Sequence, residues 1–252
     1  MKKKLLLFSV LFALLFTPHG SRGEILLEGF YWMLEPSGNA RVGEGTIVGT
    51  RFDLENDFGY GDSQDVPGFT VILGGLSKLG FSYLDLSLEA QKQLELDVTF
   101  SDLEFRTDAL VSSEINTKLY RGFYRLGNTR GSFLGNAEVG VLYADFAAGA
   151  SASNVGRTSV QADGATIYAG INAELVVGNN ISLGGSFRFS QFDVQGFDFN
   201  YTEYELGGKL YLNPIYIGGG YRLLGIDAQE DGSNLDIDIE FSGPVIWGGV
   251  RF

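Results

Sequence analysis

The chain has 252 residues, of which 44% are hydrophobic, and a formal net charge of −13. This composition excludes a disordered chain, and the acidity argues against DNA or RNA binding, which needs clustered Lys and Arg. After the first twenty residues, no apolar run approaches the roughly 20 residues that a membrane-spanning helix requires. A multi-helix membrane protein is therefore excluded.

The first 23 residues have the three parts of a secretory signal peptide. Residues 1–4 are basic, residues 5–16 are apolar, and the small residues Ser21 and Gly23 precede Glu24. Small residues at these positions suit cleavage by signal peptidase. The sequence predicts a signal peptide at 1–23 and a single mature domain at 24–252. A retained N-terminal anchor is the alternative.

The predicted mature chain has neither histidine nor cysteine, because His19 is the only histidine and cysteine is absent. Removal of residues 1–23 leaves 14 basic against 31 acidic residues, a net charge of −17. These absences exclude Ser–His and Cys–His nucleophiles, zinc sites built on thiolate or imidazole, and disulfides.

From Glu24 onward, apolar and polar residues alternate with a period of two, which places them on opposite faces of β-strands. The clearest case is Ile181 to Phe189, where odd positions are mainly apolar and even positions polar or Gly. Turn residues separate ten such segments, near residues 24–34, 67–76, 81–100, 103–126, 132–148, 165–177, 181–194, 201–212, 215–228 and 235–252. Eight strands is the alternative, because residues 67–76 are short and alternate poorly.

The longest alternation runs through residues 82–101 and continues in the return segment 103–119. Leu84, Leu86 and Leu88 share one face of the first segment. The sequence predicts a tall hairpin with its tip near Ser101, apolar residues outward and charged residues inward. Its predicted inward charges are Asp85, Glu89, Glu114 and Lys118.

The connections alternate in length, as periplasmic turns and extracellular loops do in outer-membrane barrels. The short connections are 76–80, 127–131, 178–180 and 213–214, and the long ones are 35–67, 149–165, 195–200 and 229–234. The sequence therefore predicts an all-β fold, a transmembrane antiparallel up-and-down β-barrel.

Two residue sets favour this barrel over a soluble β-sandwich or lipocalin with an apolar interior. The first is a set of aromatics near strand ends, predicted to form interfacial girdles: Tyr31, Trp32, Tyr120, Phe123, Tyr124, Tyr143, Tyr168, Tyr211, Tyr216 and Trp247. The second is a set of charges predicted to face the lumen: Glu28, Glu138, Glu174, Arg188, Glu203, Glu205, Lys209 and Arg222. A narrow lumen pairs such opposite charges.

The last six residues, 247–252, end on a terminal Phe with apolar residues at alternate places. This ending resembles the C-terminal signal by which the assembly machinery recognises Gram-negative outer-membrane barrels, with Trp247, Val250 and Phe252 as its residues. Residues 235–241 are apolar at odd positions, whereas 246–252 are apolar at even positions. A β-bulge at Gly243-Pro244 is predicted to reconcile the two.

A second resemblance lies in residues 52–59, Phe-Asp-Leu-Glu-Asn-Asp-Phe-Gly. This segment resembles the D-L-x-x-D-L-G element of a family of small, uncharacterised outer-membrane β-barrel proteins, with Phe58 in place of the usual Leu. Residues 96–100 and 242–252 are similar to other parts of that family. The resemblance implies fold and location, and it carries no catalytic residue.

Two chemical sites are compatible with the remaining side chains. Glu203 and Glu205 lie at i and i+2 on one strand face and form a candidate acid–base pair; the preferred interpretation is a lumenal pair bridged by cations. Hard oxygen ligands crowd the first and last outer loops, where Asp53, Asp57, Asp236 and Asp238 are weak candidates for Ca²⁺. We expect no catalytic residue, resident metal or cofactor.

Two functional classes remain. The first is a non-enzymatic structural or surface-interaction barrel; the second is a narrow pore or small-solute channel, which an acidic excess in the lumen would make cation-preferring. The expected partners are outer-membrane lipid, lipopolysaccharide and the barrel assembly machinery, with divalent cations at the outer loops and no nucleic acid.

Overall fold

The computed structural model describes residues 24–42, 49–61, 63–75, 77–95, 97–130, 132–153, 155–178, 180–194, 197–230 and 235–252. The predicted signal peptide lies outside the described residues. Within these ranges, no helix has the length and apolar character needed to cross a bilayer.

The described chain forms thirteen strands. They are β1 (Glu24–Val42), β2 (Arg51–Asp53), β3 (Gln64–Gly74), β4 (Ser77–Gln93), β5 (Val98–Phe100), β6 (Leu103–Phe105), β7 (Leu110–Arg130), β8 (Phe133–Ala152), β9 (Gly156–Val177), β10 (Ile181–Val194), β11 (Phe197–Tyr211), β12 (Ile215–Glu230) and β13 (Leu235–Arg251). Ten of them pair in chain order, and β13 pairs with β1. The predicted ten-stranded antiparallel barrel is confirmed.

The remaining three strands are short. β2 pairs with the top of β1, while β5 and β6 form a separate hairpin. The first predicted strand, 24–34, is therefore too short, because β1 continues to Val42 along β13 and β2.

Both ends of the described chain meet at one end of the barrel, which we call the lower end. The backbone amides of Ile25 and Phe252 each donate to the other residue's carbonyl, at 3.1 and 2.9 Å. The four short connections also lie at the lower end, as predicted.

At the upper end, the predicted long loop 149–165 is wrong, because β8 continues to Ala152 and β9 begins at Gly156. The predicted loop 195–200 is too long, because β11 begins at Phe197. Most of the predicted loop 229–234 lies outside the described residues.

The outer surface of the lower half is an apolar band. Ile167 is 72% exposed, Leu206 71% and Leu183 55%, whereas the alternate residues Ser182 and Arg188 are buried inside. The predicted orientation of residues 181–190 and 203–212 is thus confirmed. An apolar exterior over a polar interior is the pattern of membrane barrels.

The predicted orientation of the tall hairpin is wrong. Leu84, Leu86 and Leu88 of β4 are buried in the interior, and Val111, Ile115 and Leu119 of β7 join them. The predicted lumenal residues Asp85, Glu89, Glu114 and Lys118 lie on the opposite face, outside the barrel. These strands rise beyond the apolar band, so their outer face meets water and their apolar face turns inward.

The chain does turn near Ser101, as predicted, since Phe100 pairs with Leu103, but this turn belongs to the separate β5–β6 hairpin and the wall hairpin ends lower. β4 ends at Gln93, where the Leu94 amide donates to the Ala109 carbonyl at 3.0 Å. The chain then leaves the wall, and the β5–β6 hairpin packs beside residues 49–60. Thr50 binds Thr99 through its amide and its hydroxyl, at 2.9 and 3.0 Å. We call the described parts of 49–60 and 94–109 the cap.

The cap fills the upper interior with apolar side chains. Phe52 contacts Phe58 at a ring-centroid distance of 4.5 Å and Phe100 at 5.9 Å. Leu54, Val98 and Phe105 are also buried there, in one cluster with inward residues of the strands. The upper lumen is therefore a packed hydrophobic core.

The predicted β-bulge in the last strand is wrong. β13 keeps a single register with β12 from Asp236 to Val250, through Gly243 and Pro244. Ile237, Phe241 and Trp247 share the buried, inward face. The apparent change of parity arises because the upper apolar residues face the cap, while Ile246 and Phe252 lie on the outer surface.

The predicted aromatic girdle is only partly correct. Tyr31, Tyr120, Tyr124 and Tyr143 face outward, whereas the other six, Trp32, Phe123, Tyr168, Tyr211, Tyr216 and Trp247, face the interior. Five outward rings, Phe69, Phe81, Tyr83, Tyr120 and Tyr143, follow one another around the wall, with neighbouring centroids 5.0–6.0 Å apart. This row is a true outer girdle.

The inward orientation of the β4 leucines gives a test. Leu86→Ala is expected to lower the free energy of unfolding by about 2–4 kcal/mol, because it opens a cavity in the core under the cap. Ser87→Ala, on the outer face, is expected to change it by less than about 0.5 kcal/mol. Urea titration of the refolded barrel measures both. Equal small effects would mean that Leu86 faces outward.

Candidate functional site

The eight predicted lumenal charges all face the interior of the lower half, where the structure brings them together. They sit at alternating positions of β1 and β8–β12, so strand geometry alone aims each one inward. Arg121 and Arg125 of β7 join them. We call these ten residues the charged belt: Glu28, Arg121, Arg125, Glu138, Glu174, Arg188, Glu203, Glu205, Lys209 and Arg222.

Glu203 is the centre of the charged belt. Its carboxylate accepts from Arg121 Nη1 at 2.5 Å and from Arg188 Nη1 at 2.7 Å. Arg222 Nε lies 3.9 Å away, and the Tyr201 hydroxyl also donates to Glu203. The side chain of Glu203 is 4% exposed. Burial of such a charge is tolerated because every oxygen has a cationic donor.

Glu138 forms the second node. It accepts from Arg125 Nε at 2.6 Å, from Arg188 Nε at 3.1 Å and from the Tyr168 hydroxyl at 2.8 Å. Arg188 therefore bridges Glu138 and Glu203. This chain of contacts joins β7, β8, β10 and β11 across the lumen.

The remaining acids of the belt are each bound by a neighbour. Arg222 Nε donates to Glu205 at 2.9 Å, and Lys209 Nζ donates to Glu28 at 2.6 Å. The Tyr211 hydroxyl donates to Glu174 at 2.8 Å. Glu203 and Glu205 thus contact arginines rather than each other. This is the arrangement that the sequence favoured over an acid–base pair, except that Lys209 binds Glu28 and neither of these two acids.

Aromatic faces support three of the cations. The Arg125 guanidinium lies 4.6 Å from the Phe123 ring centre. The Arg222 guanidinium lies 4.4 Å from the Phe30 ring centre, and Lys209 Nζ lies 5.7 Å from Trp247. Trp247 fits because glycine lines its pocket: a Cβ at Gly218 would lie 2.4 Å from the indole nitrogen. Of the predicted assembly-signal residues, Trp247 therefore packs inside, and Phe252 is 67% exposed.

Sequence reasoning missed Arg121 and Arg125 because it placed the apolar residues of their face, such as Leu119, outside the barrel. The sequence did contain a signal for them, because Arg121 and Arg125 have the same odd parity as Leu119 and therefore share its face. With these two included, and the outward charges removed, the belt has five acids and five cations. The predicted acidic excess is therefore absent from the belt.

The charged belt separates two spaces. Below it, a cavity of about 440 Å³ is lined by polar and charged residues including Glu24, Lys78 and Arg251. Above it lies the core formed with the cap. The described lining of that core is mainly aromatic and aliphatic, with a few buried hydroxyls such as those of Ser113 and Thr117.

The Asp-Leu-x-x-Asp-x-Gly segment of the cap is a closed helical turn. The Asp53 carboxylate accepts from the Asn56 amide, and the Asp57 carboxylate accepts from the Asp53 amide, both at 2.7 Å. Gly59 has a φ of +81°, and the following amide returns to the Leu54 carbonyl at 3.0 Å. These are the bonds of a capped turn, and they point Leu54 into the core.

The four calcium candidates do not converge. Asp53 and Asp57 bind backbone amides, while Asp236 pairs with Arg41 and Arg51 at 3.3 and 3.4 Å. Asp238 is exposed on β13. Among the described residues, no group of three or more acidic, His or Cys side chains is placed to hold a metal.

Two titratable groups of the cap depart from their usual behaviour. Hydrogen bonds from the Thr107 amide and hydroxyl lower the pKa of Asp97, which therefore stays ionised and ties the β5–β6 hairpin together. Burial raises the pKa of Tyr60 to about 12, so its hydroxyl stays neutral in the core.

Comparison with known proteins identifies similar folds among solved structures. No protein-family model and no curated sequence matches. The outer membrane protease OmpT of Escherichia coli is 12% identical, with 91% of this chain and 96% of that chain covered and a TM-score of 0.54. The translocator domain of the autotransporter NalP of Neisseria meningitidis is 12% identical, covering 100% and 95%, with a TM-score of 0.42.

A third solved structure, the attachment invasion locus protein Ail of Yersinia pestis, is 10% identical, covers 92% and 100% of the two chains and has a TM-score of 0.39. At these identities the similarity concerns the fold, and of these three only OmpT exceeds a TM-score of 0.5. The chain has the closed antiparallel β-barrel fold of outer-membrane proteins.

The buried pairs of the belt give a second test. Arg121→Met is expected to lower the free energy of unfolding by about 3–5 kcal/mol, because it leaves part of a buried carboxylate uncompensated. Lys118→Met likewise replaces a cation with methionine, on the outer face of β7, and is expected to cost less than about 1 kcal/mol. Urea unfolding in detergent compares the two. A cost for Lys118→Met as large as for Arg121→Met would contradict the belt.

Proposed function

We propose that this protein is an integral outer-membrane β-barrel with a structural or surface-interaction role and no enzymatic activity. The observation that carries the proposal is the closure of the lumen by the charged belt and, above it, by the cap. A barrel whose lumen is closed at two levels is suited to holding its upper hairpins above the membrane rather than to transport.

The heights of the strands support a surface role. β7, β8 and β9 have 21, 20 and 22 residues, whereas about 9–11 residues cross a bilayer. The excess of about ten residues corresponds to roughly 30 Å of strand. These hairpins, with the cap beside them, form a raised wall above the apolar band.

The non-enzymatic part of the proposal rests on the paired state of the belt. Each acid that sequence reasoning considered for catalysis is already bound by arginine. OmpT is described as a protease, but a fold shared at 12% identity carries no activity to this chain.

The proposed partners are outer-membrane lipid around the apolar band and lipopolysaccharide around the raised wall, with divalent cations bridging exposed acids such as Glu55 and Glu104 to anionic groups. The assembly machinery would read the terminal strand, where Phe252 is accessible.

The second candidate is a narrow cation-preferring pore or small-solute channel, which the 440 Å³ lower cavity favours. Planar-bilayer conductance distinguishes the two. We expect the refolded chain, shown folded by heat-modifiability on a gel, to give no channel steps. Steady cation-selective steps from the folded barrel would establish the pore instead.

A matched variant locates the seal. Leu94 and Ala109 already close a hairpin, so two glycines in place of residues 95–108 shorten it without altering the wall. This variant is expected to stay silent, because the charged belt still spans the lumen. Conductance in this variant alone would assign the seal to the cap and not to the belt.

Location and orientation are tested with single cysteines, since the chain has none of its own. We expect Glu104→Cys, in the cap, to react with a membrane-impermeant maleimide on intact cells. Asn180→Cys, in a lower turn, is expected to react only after the outer membrane is opened. Labelling of Asn180→Cys alone on intact cells would reverse the orientation.

A further inference from the structure

The wall of the barrel parts between β9 and β10. Within the described backbone, their ladder ends at the pair Phe189–Ala169, although β9 extends upward to Gly156 and β10 to Val194. Each strand stays fully paired with its other neighbour, β9 with β8 and β10 with β11. The wall therefore divides into two hairpins above this point. We call the gap between β9 and β10 the parting.

Side chains replace the backbone ladder at the base of the parting. The Thr166 and Ser190 hydroxyls lie 2.7 Å apart, and Ser190 Oγ donates to the Ile167 carbonyl at 2.8 Å. Two hydroxyl contacts hold strands less firmly than a continued ladder, because each is a single bond that water can replace. The parting can open at low cost.

An apolar cavity of about 140 Å³ lies behind the parting. One edge is the β9 segment 163–166, which borders the parting itself. The interior surface comes mainly from Leu119, Leu142, Phe146, Tyr201, Ile226 and Phe241. Tyr201 forms the floor and links it to the charged belt through Glu203.

The height of the parting matches the upper edge of the apolar band. Ile167 and Phe189, at its base, are exposed apolar side chains on the outer surface. Higher on the outer surface, the exposed Ala165 is followed by the polar Asp163 on β9, and the polar, exposed Gln191 follows Phe189 on β10. A hydrocarbon chain anchored in the outer leaflet would therefore meet the parting at its own depth.

We propose that this cavity is a binding site for a hydrocarbon group, which enters laterally from the membrane through the β9–β10 parting. The volume sets the size, since a cavity of about 150 Å³ lined by aliphatic and aromatic residues holds a benzene-sized molecule. The lining excludes charged ligands, because an ion there would lose its hydration. The site is additional to the proposed surface role and does not depend on it.

Two probes separate the sources of such a group. Fluorobenzene represents a free small hydrocarbon, and a phospholipid with a terminal trifluoromethyl group on one acyl chain represents the bilayer. Each is added to the folded full chain in nanodiscs and followed by ¹⁹F NMR. We expect a resonance of bound probe that is absent from empty nanodiscs. Binding of fluorobenzene alone assigns a free ligand, and binding of the lipid tail assigns the membrane.

Matched variants localise the signal. Ala144→Leu fills the cavity and is expected to weaken binding roughly tenfold, because its three added carbons take the place of ligand carbons. Ala147→Leu makes the same change on the outward face of the same strand and is expected to leave binding intact. Equal binding by both folded variants would overturn the proposal, as would the absence of a bound signal for either probe.

The parting itself is tested by a reversible clamp. Thr166→Cys with Ser190→Cys places two thiols where the hydroxyls are 2.7 Å apart, so oxidation joins β9 to β10. Oxidation is expected to slow uptake of either probe at least about tenfold, and reduction of the same sample to restore it. Uptake unchanged by oxidation would overturn lateral passage through the parting.

Discussion

Pairing of every backbone amide and carbonyl in the apolar band is the constraint on which the structure depends. An apolar exterior such as that of Ile167 and Leu206 leaves no water to satisfy an open sheet edge. Closure of β13 on β1 removes that edge, and an even number of strands brings both ends of the described chain to the lower end. The lumen, and therefore the site inside it, follows from closure.

The environment of the outer surface changes with height, and this change decides which side chains face inward. Within the apolar band, polar residues turn inward and pair. Above the band the outside is water, so Leu86 and Ile115 turn inward while Lys118 turns outward. Every second residue of a strand points inward along its whole length. What changes with height is the kind of residue that occupies these inward positions.

This change explains how far sequence could lead. Alternation identified the ten strands, the lower turns and eight members of the charged belt, because period and turn residues are local properties. It misassigned β4 and β7, because parity reports two faces and not which one is inside. The cap could not be predicted from local patterns, because Thr50 and Thr99 are 49 residues apart and meet only in the folded chain. The error on β7 then hid Arg121.

The charged belt has a consequence for how the barrel assembles. Arg121 and Glu203 are 82 residues apart, and Lys209 and Glu28 are 181 residues apart, on strands that face each other across the lumen. A partly formed sheet brings neither pair together and exposes both charges. Other belt pairs, such as Arg188 with Glu203, already lie opposite each other on adjacent strands. The pairs across the lumen add their electrostatic gain only as the sheet curls towards closure, so they favour the closed barrel over an open sheet.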